Sequence, residues 1–337
     1  MSAVHAYGRD TRIVHESHSG GSSLVHRWLA FSFAFLYGGI LSQTPTEQFK
    51  DFSNYIVYAD QGWSILLSRV HDGVVGLLAN EPVWLLINAG LATFLDPESV
   101  VRVIVFFSAG MVAWLVLRQS QRQFVWLLFF LLLPLVIKNH LIHLRQGLAI
   151  AIFLWGWVSG RPLVRWSMMG LAPFVHSSFV FVLAILGLSK VMVHFRLGPD
   201  VRLSGFLIMG LAVGSCLGAM AAMVGARQAQ EYEFAAAQVS GLGFSLWIAI
   251  LGIWLLEGRQ FLREHAFEVG IIAFYLGTYW LIEVTARIFE SGLPLVLLAG
   301  LSLSGWRRVV FLFAVLGSGS LMWLMRLGQP AMGFGIV

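Results

Sequence analysis

Four clusters of polar residues interrupt an otherwise apolar sequence. The first is Asn139-His140-Leu141-Ile142-His143-Leu144-Arg145-Gln146-Gly147, followed at once by the apolar run Leu148 to Trp157. An arginine at the start of such a run offers a planar fork that stays charged at any physiological pH and binds phosphate bidentately. The free amides and dipole of a helix N-terminus favour the same anion. Asn139, His143 and Gln146 flank Arg145 as candidate ligands for a polar substrate. Snorkelling towards lipid headgroups is the competing role for Arg145, and spacing leaves both open. The second cluster is Phe174-Val175-His176-Ser177-Ser178. His176 has the chemistry of a base, an acid or an anion donor; an interfacial, hydrogen-bonded histidine is the plainer account. No nucleophile-elbow pattern surrounds Ser177, which argues against serine hydrolase chemistry.

The third cluster runs from Glu283 to Glu290. Glu283 and Arg287 are four apart and share a helix face. They either neutralise each other or make Arg287 a second phosphate clamp held by Glu283. The fourth is the early stretch with Asp51, Tyr55 and Tyr58, joined by Glu81-Pro82 and, much later, by Glu231-Tyr232-Glu233. Carboxylates beside aromatic rings suit a sugar, through hydroxyl hydrogen bonds and ring stacking. Ordinary exposed loops have the same composition.

The elements that must position these residues are membrane helices. The chain has 337 residues, 58% hydrophobic and 12% charged, about half the charged share of an average soluble domain. Apolar residues come in runs, such as Phe124 to Ile137 and Leu203 to Val224, rather than alternating. Runs of that kind read as helical spans, and lipid admits only helices and closed barrels. The fold class expected is an all-α polytopic membrane protein with about eleven transmembrane helices. The expected spans are 28–42, 100–117, 124–138, 147–160, 163–176, 178–190, 203–225, 241–257, 267–283, 287–304 and 308–326. A further apolar segment, 74–95, opens with Asn80-Glu81-Pro82, as a helix beginning within the membrane would. It is read as re-entrant or interfacial.

Loop charges orient the chain. With the N-terminus cytoplasmic and 74–95 not crossing, Arg118, Arg122, Arg161, Arg165, Arg196, Arg202, Arg259, Arg263, Arg307 and Arg308 collect on the cytoplasmic side, as the positive-inside rule requires, while Arg145, Arg227 and Arg287 fall on the outer side. A polar cytoplasmic tail (1–23) then precedes one integral domain (24–327), with periplasmic loops near 43–73 and 226–240. The tail has no signal-peptide apolar core, and its His5, His15 and His18 are too loosely spaced for a metal site. Cys216, the only cysteine, excludes a disulfide framework. The formal charge of +5 is accounted for by loop arginines, so no nucleic-acid partner is expected. No Walker loop, HExxH motif or paired aspartates for a metal-bound nucleotide sugar occurs. Energy must come from an activated lipid substrate, an ion gradient, or neither.

The run Leu144-Arg145-Gln146-Gly147-Leu148-Ala149-Ile150-Ala151-Ile152-Phe153-Leu154 resembles the signature of the EpsG-like, Wzy-type polysaccharide polymerases. Four further pieces follow in family order: Phe52 to Tyr58, the Glu81-Pro82 opening, Phe174 to Ser178, and Glu283 to Phe289. The resemblance spans about 50 to 300. The N-terminal tail is longer than in the family, and no crisp Gly-x-Asp pattern precedes the early aromatics. What the resemblance implies is a GT-C-like glycosyltransferase of the bacterial inner membrane. It would need no cofactor and no metal. It would join undecaprenyl-pyrophosphate-linked repeats as donor and acceptor on the periplasmic face, producing O antigen, capsule or exopolysaccharide. A chain-length regulator and a flippase of the same pathway would be partners, with membrane lipids around it. Arg145 and Arg287 would stabilise the leaving pyrophosphate, and His176 or Glu81 would act as base. Asp51, Tyr55, Asn139, His143, Gln146, Glu283 and Tyr232 would bind substrate. A transporter or flippase for lipid-linked oligosaccharide is the main alternative, and a membrane O-acyltransferase built on His176 a third.

Overall fold

A computed structural model describes residues 24–45, 48, 49, 51–71, 73–223, 240–282 and 284–335. Among these residues the secondary structure is helical, with one isolated β-bridge between Phe49 and Gly335. The chain is a multi-pass membrane protein. Among the described residues, three helices are long and apolar enough to cross a bilayer: α1 (Leu24–Ser42), α5 (Pro97–Leu117) and α16 (Gly305–Arg326). They coincide with three of the expected spans. Helix α5 starts cleanly because the Asp96 carboxylate accepts the Ser99 amide at 3.0 Å and Pro97 takes the first helical position. Helix α1 lies against α5 where small residues let backbones meet: a Cβ on Gly38 would stand 2.6 Å from the Phe106 carbonyl oxygen.

Two apolar segments are broken. The expected span 124–138 is two helices, α6 (Phe124–Leu131) and α7 (Pro134–Leu141), bent by 56°. Pro134 has no amide to donate and drives the preceding Leu133 into extended backbone (φ −63, ψ 136). Segment 74–95 is likewise split. After α2 (Phe52–His71) come α3 (Gly73–Ala79) and α4 (Pro82–Leu91), bent by 74° at Asn80-Glu81. That geometry belongs equally to a broken span and a re-entrant loop.

The remaining helices are α8 (Leu144–Val158), α9 (Pro162–Leu171), α10 (Phe179–His194), α11 (Pro199–Met223), α12 (Leu242–Glu257), α13 (Arg259–Glu264), α14 (Ala266–Thr278) and α15 (Thr285–Gly300). A 3-10 turn, Ala172–Phe174, follows α9. Every residue of α14 is buried, and α15 nearly so. Exposed Phe107, Leu163, Val309 and Phe313 mark the outer, lipid-suited surface. Helix α8 packs against α5, α7, α9 and α15. A smaller apolar cluster, including Tyr55, Tyr58, Trp84, Leu85, Val101 and Leu144, ties α2 and α4 to the start of α8. That is where the polar clusters converge. The tail 1–23 and, apart from Ser240, the loop 226–240 lie outside the described residues.

Candidate active site

Glu81 is the hub. It precedes α4 in a left-handed conformation (φ 58, ψ 57), which costs a residue with a Cβ about 1–2 kcal/mol. A non-glycine residue held there needs compensating contacts. The contacts are made by its side chain, which is turned inward and only 3% exposed. Oε2 accepts from Arg145 Nη1 at 2.6 Å. Oε1 accepts the Ser177 amide at 2.9 Å and meets His176 Nδ1 at 3.0 Å. Burying a carboxylate is costly unless its charge and lone pairs are compensated, and here a guanidinium and two further donors do so. An ionised carboxylate can only accept, so the contact calls for a proton on His176 Nδ1.

Arg145 occupies the first turn of α8, one turn earlier than the expected span 147–160. Its placement depends on Tyr55. The Tyr55 hydroxyl donates to the Ile142 carbonyl at 2.7 Å and accepts the Leu144 amide at 3.1 Å, clasping the break between α7 and α8. Tyr55 packs edge-on against Trp84. The Tyr58 ring lies 5.6 Å from the Arg145 guanidinium carbon, a cation–π contact. Gly147 allows α7 to lie close, because a Cβ there would clash with the Asn139 carbonyl and stand 2.8 Å from His140 Nδ1.

The other sequence candidates take different places. Gln146 is fully buried and donates to the Arg287 carbonyl at 2.7 Å and to Ser291 Oγ at 3.2 Å, joining α8 to α15. Ser291 Oγ is also 2.7 Å from Ser178 Oγ. The Arg287 backbone is therefore part of the scaffold, while its half-buried side chain lies in electrostatic range of Tyr55 and His143. Asn139 is buried. His143 Nδ1 is 3.8 Å from Glu290 Oε2, too far for a hydrogen bond. Asp51 is half-buried at the foot of α2, where its carbonyl accepts the Tyr55 amide. Glu283 and Tyr232 lie outside the described residues.

A cavity of about 220 Å³ opens in front of Glu81 and Arg145. Asn54, Tyr58, Arg69 and Asn80 complete its polar lining, and Val57, Ile65 and Leu85 add apolar walls. Asp51, His176 and Arg287 are not among the lining residues; His176 stands behind Glu81, on its Oε1. Two guanidiniums against one carboxylate suit an anionic ligand. Among the described residues, no three His, Cys, Asp or Glu side chains gather as metal ligands. Sequence reasoning missed Arg69 and the partly buried Lys138–Glu290 pair at 3.0 Å. Residues 152 positions apart give no spacing signal.

In comparisons with known proteins, the model of the EpsG family matches residues 28–324. No curated protein and no solved structure is matched.

Proposed function

The chain belongs to the EpsG family, and from that premise we propose that it is a membrane glycosyltransferase polymerising undecaprenyl-pyrophosphate-linked oligosaccharide repeats at the periplasmic face. In this reading a hydroxyl of the acceptor repeat attacks the anomeric carbon of the donor glycan. The bond from that carbon to the pyrophosphate oxygen breaks, and its electron pair leaves with the pyrophosphate. Arg145 stabilises the charge that develops there. His176 Nε2 takes the hydroxyl proton. Glu81 accepts from both side chains, so its role is to orient them rather than to act as base.

The observation that carries this reading is the bridge itself. One buried carboxylate holds together an arginine 64 residues and a histidine 95 residues further along the chain. The test is an assay of purified protein given a lipid-pyrophosphate-linked repeat, without nucleotide or added metal. A ladder of glycan lengths that disappears in Arg145→Ala is expected. Wild-type chain lengths from that variant, at normal protein level, would end the proposal.

The two broken helix pairs favour a second reading, a transporter of lipid-linked oligosaccharide, because discontinuous helices often line transport sites. Proteoliposomes that move the substrate across the bilayer without lengthening it would decide for transport.

A further inference from the structure

We infer that Arg69, on α2, is the second phosphate-binding cation of this cavity and pairs with Arg145 to hold a polyprenyl-linked pyrophosphate. This rests on the reading that the substrate is such a lipid.

The argument begins with charge. A pyrophosphate diester carries about two negative charges near neutral pH. Arg145 already faces Glu81 at 2.6 Å, so its charge is partly spent within the protein. Among the described residues, Arg69 is the other cationic side chain lining the cavity. A guanidinium meets phosphate oxygens with a fork of donors.

Geometry adds the shape of the ligand. Asn54, Tyr58, Ile65 and Arg69 line the cavity at spacings of four, seven and four, which is one stripe of a helix. Tyr58, under Arg145, and Arg69 are eleven positions apart. That is at most about 16 Å of helical rise, shortened by the bend at Gln61 (φ −113, ψ 17). Arg69 on this stripe and Arg145 over its Tyr58 suit an elongated anion better than a single phosphate. We assign Arg145 to the phosphate beside the sugar and Arg69 to the one beside the prenyl chain.

Depth agrees. Besides its cavity-lining stripe, helix α2 has three faces. Tyr55, Ala59, Gly62 and Leu66 are buried; Trp63, Leu67 and Val70 are exposed and apolar; Ser53, Asp60, Ser64 and Ser68 are exposed and polar. Such a division suits a helix lying in the membrane interface, with its tryptophan at headgroup level. A cavity lined by that helix would be within reach of the pyrophosphate of a membrane-anchored substrate.

The test measures binding, not polymerisation. Full-length protein in phosphatidylcholine nanodiscs is titrated with farnesyl pyrophosphate, a short prenyl pyrophosphate, and in parallel with farnesol and with phosphatidylglycerol. Arg69→Gln is expected to weaken farnesyl pyrophosphate roughly tenfold or more, the worth of a charge-assisted hydrogen bond. Arg69→Lys should recover part of that, and farnesol should show no such dependence. Arg69→Lys also keeps the test decisive if Arg69→Gln fails to fold. Wild-type affinity in Arg69→Gln, no binding by the wild type, or phosphatidylglycerol binding with the same Arg69 dependence would each overturn the assignment. Arg69-dependent binding without any glycan ladder would sink the polymerase reading and leave Arg69 standing. A ladder from Arg69→Gln with unchanged KM would do the reverse.

Discussion

Glu81 joins a backbone cost to a side-chain gain, and the two can be separated by substitution. Glu81→Gln keeps the shape of the side chain but has one oxygen where the carboxylate has two. The amide nitrogen must then face either Arg145 or the His176–Ser177 side, and donor meets donor. Breaking a buried ion pair costs about 3–5 kcal/mol. Arg145 keeps 21% side-chain exposure, so the lower end, about 3 kcal/mol, applies. In detergent this should lower the melting temperature by several degrees, and polymer formation should fall with it, because neither Arg145 nor His176 is held. Glu81→Ala and Glu81→Gly isolate the backbone term. Both remove the carboxylate, but glycine adopts φ 58 at no steric cost while alanine retains it. The glycine variant should therefore be more stable than the alanine variant by about 1 kcal/mol. Paired melting curves and the gel assay read these effects. A Glu81→Gln protein with wild-type melting and a wild-type ladder would refute the hub, and alanine more stable than glycine would refute the backbone argument.

Two further substitutions test the scaffold around the site. Gly147→Ala places a methyl group against the Asn139 carbonyl and His140; overpacking of this kind costs about 1–3 kcal/mol, and pushing α7 away should also displace Arg145. Loss of polymer length together with thermal stability is expected, and an unchanged melting temperature would count against the close approach. Glu290→Ala leaves the partly buried Lys138 without its 3.0 Å partner, a loss of about 3 kcal/mol. The double variant Lys138→Met, Glu290→Leu should restore most of the stability, and a double variant no more stable than Glu290→Ala would contradict the pairing.

How far the sequence reached depends on the range of the interaction involved. Transmembrane character is set by local composition, so α1, α5 and α16 fall where the apolar runs place them. The break at Glu81 was legible because Asn80-Glu81-Pro82 is a local helix-start signal. The break at Leu133 carries an equally local signal, Pro134, but it was masked because every neighbour is apolar and the run scores as one span. Pairing is different. The i,i+4 rule points Arg287 towards Glu283, the carboxylate within reach along one helix. It cannot find Glu81 for Arg145, or Glu290 for Lys138, because those partners meet only after helices far apart in sequence have packed. Arg145 and Glu81 were still found as separate candidates, since a charge that must be buried in an apolar chain needs a reason. Arg69 was not, because its neighbours Ser68 and His71 make an ordinary polar helix end. Its place in the cavity follows from the face of α2 that Tyr55, Gly62 and Leu66 bury. Those residues, rather than Arg69 itself, decide where the guanidinium goes. The Arg-Gln-Gly-Leu-Ala run reads as a signature for a related reason. Within it Arg145 reaches Glu81, Gln146 fastens α15, and Gly147 admits α7, so three consecutive residues each fix a different neighbour of one helix start.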